Sequence, residues 1–357
     1  CRAYINSMKD KEKQAHLTYA QSGVDVKAGE QAVDRIKQLA ASTFNPQVLT
    51  GLGSFGGFFK PDLAGIKEPV FISSTDSVGT KLKLAFMTGI HNTIGEDLVN
   101  HCINDILVHG AKALFFLDYI GIGQLDGDVV AEMVEGLSRG CKNAGVALIG
   151  GEMAELPGFY QAGEYDLVGF VVGVVDQPRV INGSTIKEGD VCIGLASSGL
   201  HTNGYTLARK VAFEVAGHKP DDHVESLGMT IAKALMKVHR CYAPVIHPLI
   251  NEFDIHGMAH ITGGGIPGNL KRILPEGMSA VIGKKSWPVL PVFEYLKSAG
   301  NIDPEDIYSA FNMGIGYIIV AKESDVDGIV ASLSKHDEQA YIIGRIEKGD
   351  KTVKLVD

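Results

Sequence analysis

Residues 73–81 read SSTDSVGTK, so a carboxylate (Asp76), hydroxyls including Thr75 and Thr80, a glycine (Gly79) and a lysine (Lys81) fall within nine positions. That mixture suits a phosphate accompanied by a divalent cation. A carboxylate offers hard oxygen to Mg2+, while a lysine and backbone N–H groups neutralise phosphate oxygens. The stretch follows an apolar run at 70–72 that reads as a buried strand. Thr75 and Asp76 are therefore expected at the strand's carboxyl end, with Gly79 permitting a tight turn. An ordinary polar turn with Lys81 in water is the competing reading.

Similar chemistry recurs downstream, each time where a strand gives way to glycines. GGEMAELPG at 150–158 brings Gly150, Gly151 and two glutamates, of which Glu152 is the candidate metal ligand and Glu155 reads equally well as a turn residue. SSGLHTNGY at 197–205 places Ser197, Ser198, Gly199, His201 and Asn203 before a helix, where free N–H groups favour an anion; a capping loop with Asn203 or Thr202 as N-cap is the alternative. AHITGGGIPGN at 259–269 repeats the arrangement with Gly263, Gly264 and Gly265, whose entropic cost a closely approaching ligand would explain. GLGSFGGFF at 51–59 spaces Gly51, Gly53, Gly56 and Gly57 among aromatic residues, as either a phosphate-covering flap or a hairpin turn.

The elements that must hold these loops are legible from periodicity. Residues 94–109 form a helix with Leu98, Val99, Cys102, Ile103, Ile106 and Leu107 on one side; Asp97, Asn100, His101, Asn104 and Asp105 lie on the other, a face that by itself reads as solvated. Helices are also expected at 28–42, where Lys37 lies on the polar side, and at 129–144, 205–216, 227–239, 244–253 and 323–334. Strands are expected at 113–122, 146–149, 165–175, 191–196, 257–262, 317–321, 340–346 and 352–355, and the segment 286–291 as a surface loop packing the Trp287 ring. Strands and helices alternate without strict βαβ order, which favours an α+β or mixed α/β fold. At 357 residues two domains are expected, with the boundary in the Pro- and Gly-rich segment 176–190. The division is 1–17 as a flexible extension, 18–175 as the first domain and 183–357 as the second.

Composition narrows the class. The net charge of -9 and the lack of any long Lys/Arg run argue against a nucleic-acid or anionic-membrane surface. Five cysteines, odd in number and without a CxxC pair, argue against a disulfide framework or a zinc site and fit a cytoplasmic protein. No apolar run reaches the length of a membrane span, and the first residues lack a signal-peptide core.

Taken together and in order, SSTDSVGTK, CINDI (102–106), GGEMAELPG, SSGLHTNGY, HITGGG and FNMGIG (311–316) resemble the aminoimidazole ribonucleotide synthetase family, the phosphoribosylformylglycinamidine cyclo-ligases. The resemblance runs from about residue 18 to the end. YAQSGVD at 19–25 and the chain length favour this family over the related kinases and maturation proteins of similar fold. It implies an N-terminal sheet that pairs across a homodimer, a C-terminal mixed sheet covered by helices, and a small-molecule substrate, formylglycinamidine ribonucleotide. It also implies ATP-dependent ring closure to aminoimidazole ribonucleotide with release of ADP and phosphate. By the same resemblance Asp76, Asp105 and Glu152 hold Mg2+ near the ATP phosphates, with Asn104 beside them. Lys37 and residues 51–57 fold over nucleotide, and His201 and Gly263 to Gly265 complete the site, with Lys37 or His201 stabilising the phosphoryl group or moving a proton. Ser77 and Met153 depart from the family pattern, which has glycine and threonine there. A related small-molecule kinase, or a nucleotide-binding dimer without catalysis, are the alternatives.

Overall fold

The computed structural model describes residues 26–357, and side chains from residue 34 onward. The YAQSGVD stretch, the extension expected at 1–17 and Cys1 lie outside the described residues. Helix α1 (Val26–Ala41) packs on the first of two sheets, which contains β1 (Pro69–Ser77), β2 (Lys112–Ile122), β3 (Ala147–Glu155) and β4 (Tyr165–Asp176) in the order β1-β4-β2-β3. Only β2 and β3 run parallel; β4 returns antiparallel between β1 and β2.

On one face of this sheet lie α2 (Leu82–Thr88), α3 (Ile94–Leu107) and α4 (Gly127–Ala144). The apolar side of α3 is buried against β1, β4 and α4, as its periodicity requires. Glycines permit the close approach. A Cβ at Gly136 would meet the Asn92 carbonyl oxygen at 2.6 Å, and one at Gly140 the Val99 Cβ at 2.9 Å. Asp126 caps α4 by accepting from the Asp128 and Val129 amides, and Gly145 closes it in the left-handed region.

The second sheet is built from β5 (Val191–Ala196), β8 (Ile255–His260), β9 (Met278–Gly283), β10 (Ile315–Ala321), β11 (Ala340–Lys348) and β12 (Val353–Val356). Its order is β12-β9-β11-β5-β10-β8, antiparallel except for β12 with β9. A small hairpin of β6 (His223–Val224) and β7 (Met229–Thr230) lies outside it. Helices α5 (Tyr205–Arg209), α6 (Ile231–Leu235), α7 (Ala243–Glu252), α8 (Gly265–Ile273), α9 (Pro291–Gly300), α10 (Asp306–Ala310) and α11 (Val326–Ser334) complete this half. The architecture is the mixed α/β one expected, with one sheet drawn from residues before 177 and the other from residues after 190.

Several local expectations need correction. β1 ends at Ser77, where the β4 ladder reaches Val168, so Thr75 and Asp76 do lie at its carboxyl end, but the apolar run at 70–72 is not buried: Phe71 is 56% exposed. β3 runs on from Leu148 through Gly150, Gly151 and Glu152 to Glu155, paired with β2, so Glu152 is a strand residue and not a loop residue. The helix expected at 227–239 shrinks to α6, where Thr230 supplies the N-cap by accepting from the Lys233 amide. The helix at 205–216 is α5 followed by a π turn, Lys210–Val215. β9 and α9 went unrecognised: a six-residue strand and a Pro-led helix carry weak patterns. Trp287 does pack its ring, donating its indole N–H to the Met313 carbonyl at 2.9 Å.

Candidate active site

Except at Asp105, the polar face of α3 does not meet water. It docks on the second half of the chain, and nearly every side chain on it is satisfied there. Asp97 accepts from the His239 amide at 2.7 Å, and Asn100 donates to the His239 carbonyl at 2.7 Å. Asn104 donates to the Arg240 carbonyl at 2.8 Å and accepts from the Tyr242 amide at 3.0 Å. A segment that would otherwise be an irregular loop is thereby held along a helix, residue for residue.

Lys81 completes this contact and does not face a phosphate. It is fully buried, and its Nζ donates to Asp97 at 2.8 Å and to the carbonyls of Lys237 at 2.7 Å and His201 at 3.2 Å. An ammonium has three N–H groups, and all three have partners here. Burial lowers the Lys81 pKa, and the Asp97 charge opposes that shift. Burial likewise raises Asp97, to about 6, with Lys81 pulling it back.

At the open end of α3 the geometry changes. Asp105 and Asp76, from α3 and β1, come together over Ser74, whose hydroxyl lies 3.3 Å from Asp76 Oδ2 and 3.4 Å from Asp105 Oδ2. Both carboxylates keep partial access to solvent. Burial and the neighbouring Asp105 charge push Asp76 up to about 7, with Arg272 opposing. Burial alone would raise Asp105 too, but the hydrogen bond and charge of His260 outweigh it and hold Asp105 well below the usual carboxylate range. Two carboxylates at close quarters, one kept ionised and one resisting ionisation, form a pair that a dication would relieve.

Four histidines stand behind this pair. His260 Nδ1 is 2.7 Å from Asp105 Oδ1, and His260 Nε2 is 2.9 Å from His239 Nε2. His239 Nδ1 is 3.2 Å from the Thr202 hydroxyl, which is 2.7 Å from His101 Nδ1, and His101 Nε2 faces Asp76 Oδ1 at 3.5 Å. The contacts close a ring through Ser74 back to Asp105. Burial lowers the pKa of His101 to about 4 and moves His201 and His239 in the same direction, so these rings are neutral at pH 7.

His201 lies under this ring, not at the surface. It is fully buried and stacks on His239 at 4.1 Å with planes 19° apart. Its backbone is left-handed, φ 63°, and a Cβ at Gly316 would run into both its ring and the Tyr242 hydroxyl. The glycine in FNMGIG thus makes room for protein and not for a ligand. His201, His239 and His260 also present nitrogens within 4.8 Å of one another. The near-parallel stack means no single ion lies in both ring planes, so that trio is packing.

The remaining candidates are spread more widely than their sequence pattern implies. Glu152 is not with the aspartates. Asp76 pairs with Gly169, Gly169 with Asp118 and Asp118 with Gly151, so Glu152, one residue further, points to the opposite face some 14 Å along the sheet. Gly151 is glycine because a Cβ would strike the Asp118 carboxylate, and a Cβ at Gly150 would lie 3.3 Å from Leu117. Gly265 turns left-handed against the Tyr308 carbonyl and Gly264 is left-handed at φ 95°, so backbone geometry accounts for those two. Gly263 is open except for Asn203, whose buried Nδ2 has no partner.

The Ser197 hydroxyl lies 3.0 Å from both the Gly199 carbonyl and Asn312 Oδ1, and Ser198 donates to the Val238 carbonyl, so both brace their own loop. Thr80 contacts Thr206 at 3.0 Å across the two halves, next to Gly79 in the left-handed region at φ 67°. Thr75 is exposed on the face of β1 away from α3. Lys37 pairs with Asp34 on an exposed side of α1. The 51–57 loop projects from a hairpin-like base closed by Leu49 N–H to the Phe58 carbonyl at 2.9 Å and Lys60 N–H to the Gln47 carbonyl at 2.8 Å. Gly51, Gly53 and Gly56 have open space around them, while Gly57 abuts Ile149. Sequence reasoning missed His101, His239, His260 and Arg272 as members of the site, since three helical or strand positions and one loop position share no spacing.

The domain family described as AIR synthase related protein, N-terminal domain, matches residues 63–175, and the corresponding C-terminal domain matches residues 187–357. A phosphoribosylformylglycinamidine cyclo-ligase of Syntrophotalea carbinolica is 50% identical over 353 residues, covering 98% of this chain and 100% of that protein. The chain belongs to the phosphoribosylformylglycinamidine cyclo-ligase family. A second cyclo-ligase, from Alkaliphilus oremlandii, is 48% identical over 95% of this chain and 99% of its own length. Among solved structures, the hydrogenase maturation protein HypE in complex with ATP aligns with a TM-score of 0.65 at 20% identity, over 93% of this chain and 92% of that one. Thiamine-monophosphate kinase from Stenotrophomonas maltophilia aligns with 0.65 at 16%, over 90% and 95%. At those identities the likeness is one of fold, and cyclo-ligase membership rests on the sequence correspondence along nearly the whole chain.

Proposed function

We propose that this chain closes the imidazole ring of formylglycinamidine ribonucleotide at the expense of ATP, giving aminoimidazole ribonucleotide, ADP and phosphate. The observation that carries the reading is the 50% identity with a cyclo-ligase along that protein's full length. The amide oxygen of the substrate is a poor leaving group and takes the terminal phosphoryl group of ATP. The amidine nitrogen then attacks the activated carbon, loses a proton, and phosphate departs. The protein's work is positioning and charge neutralisation.

The Asp76 and Asp105 oxygens, partly open to solvent and crowded together, fit Mg2+, which when bound would neutralise phosphate charge. Ser74 and His260 orient the two carboxylates, and Arg272 adds a positive charge beside Asp76. Asn203 lies against the open Gly263 through its Oδ1, and its Nδ2 is a buried donor without a partner. The boundary between N-terminal ATP-site domain and C-terminal domain falls at 176–190. Four described cysteines, all free, support a cytoplasmic setting, and no helix among the described residues is long and apolar enough to cross a membrane.

The test is phosphate release from ATP and Mg2+ with and without formylglycinamidine ribonucleotide, read beside a colour assay for aminoimidazole. Equal amounts of product and phosphate are expected. Phosphate without aminoimidazole moves the reading to a related kinase, and neither signal to a binding protein.

The active form in this reading is a homodimer. The face of the first sheet away from α3 carries Phe71, 56% exposed, and Phe170, 42% exposed, with Val172 between them in the ladder, while Phe59 packs on Phe115. An apolar sheet face of this kind is unusual on a monomer, and a second copy of the same sheet is its self-complementary cover. Phe71→Arg is expected to convert the dimer to monomer in light scattering; a monomeric wild-type protein would sink the assignment.

A further inference from the structure

We infer that His101 and His260 join Asp76 and Asp105 in one mixed nitrogen and oxygen site for a first-row transition dication such as Mn2+, which it takes in preference to Mg2+. The inference rests on the reading that the two aspartates hold the divalent ion, and adds two nitrogen ligands and a metal preference.

The geometry is specific. His101, Asp105 and His260 each present a donor atom within 4.8 Å of the others, and His101 Nε2 is 3.5 Å from Asp76 Oδ1. The His101 and His260 rings stand nearly perpendicular, at 86°, so their planes intersect and one ion can lie in both, unlike the stacked His201 and His239. Each ring is also anchored through its other nitrogen. His101 Nδ1 meets the Thr202 hydroxyl at 2.7 Å, and His260 Nε2 meets His239 Nε2 at 2.9 Å.

That is the support a metal-binding histidine requires, since the hydrogen bond at the far nitrogen fixes the ring and leaves the near lone pair free. Without the ion His260 Nδ1–H donates to Asp105 Oδ1. Ligation requires that proton to leave Nδ1, giving a tautomer in which His260 Nε2–H donates to His239 Nε2 while His101 Nδ1–H and His239 Nδ1–H donate to Thr202 Oγ1, so that His101 Nε2 and His260 Nδ1 both offer lone pairs. Mg2+ keeps an all-oxygen shell with several waters, whereas first-row transition dications accept imidazole nitrogen, Mn2+ the most weakly of them and with carboxylates beside it. Two nitrogens in the set therefore tilt the choice.

The probe is Mn2+ added to the purified full chain without Mg2+, followed by electron paramagnetic resonance of the free ion and by pulsed measurement of nitrogen coupling to the bound one. Expected are one Mn2+ per chain, coupling from imidazole nitrogen, and Mn2+ bound at least ~10-fold more tightly than Mg2+ in competition. His101→Gln should weaken Mn2+ by about 10- to 100-fold and leave Mg2+ within twofold. Bound Mn2+ without nitrogen coupling in the wild-type protein overturns the inference whether or not the variant folds, and so does equal affinity for the two ions. Either result leaves the aspartate pair and the cyclo-ligase reading standing. Failure of that reading shows separately, as Mn2+ binding that Asp105→Asn does not alter or as absence of aminoimidazole with either metal.

Discussion

Asp105→Asn is expected to lower the rate of aminoimidazole formation by on the order of 10²–10³-fold, as loss of one strong electrostatic group at a reacting centre does. Three consequences follow from the geometry. The amide keeps the shape of the carboxylate, but it removes the member of the pair over Ser74 that stays ionised. It also removes the ionised partner that His260 Nδ1 faces at 2.7 Å. Asp76, whose pKa is raised in part by the Asp105 charge, should then titrate lower. The measurement is single-turnover product formation at saturating ATP across pH, with circular dichroism as a check on folding. A variant that cyclises substrate at the wild-type rate would remove Asp105 from the metal site. Substitution of Cys141 by Ala serves as the contrast, because Cys141 is buried among apolar side chains away from the aspartate pair.

Lys81→Met carries the largest expected effect on stability, a loss of about 3–5 kcal/mol from leaving one partner of a buried ion pair uncompensated. Methionine fills a similar volume, so the loss is electrostatic more than steric. Asp97 would keep the His239 amide as its donor but lose the ammonium. Two carbonyls, of Lys237 and His201, would lose a donor as well.

The pH dependence has a definite sign. Asp97 already titrates at about 6 in the folded protein, above the ordinary 3.8, and Lys81 is what restrains it. Without Lys81 its folded pKa rises further, so the folded variant holds a proton that the unfolded chain releases. Stability of the variant therefore falls as pH rises above 6, where the wild-type pair is already charged. Urea unfolding at pH 5.5 and 8 should show the deficit widening at the higher pH. A deficit below 1 kcal/mol, unchanged between the two, would mean that the pair contributes little. Lys81→Met combined with Asp97→Asn should recover part of the loss, since the unpaired charge is then gone.

Much of the fold was legible in residues. The 3.6-residue period of α3 and α4, the apolar runs of β2, β4 and β5, and Gly145 at the end of α4 all specify local structure, because those signals arise from backbone sterics and one-sided burial. β9 and α9 were not legible, because a short strand and a Pro-led helix have no period long enough to stand out. The candidate site was legible as a set of residue types and, through resemblance, as a family. Asp76 and Asp105 do meet as that set implies.

Tertiary structure decided the rest. An amphipathic wheel reports that Asp97, Asn100, His101 and Asn104 share a face, but the face reads as solvated until the segment from His239 to Tyr242 arrives from 135 or more residues away to hydrogen-bond it. Lys81 and His201 look like phosphate ligands in their motifs, and only long-range packing removes them from solvent. Glu152 looks like a third metal ligand until strand register puts it on the other side of the sheet from Asp76. Sequence by itself determined which chemistry the chain carries, because that depends on side-chain type and local turn geometry. Which of those side chains share one centre depends on contacts between residues far apart in the chain, and local periodicity contains no information about them.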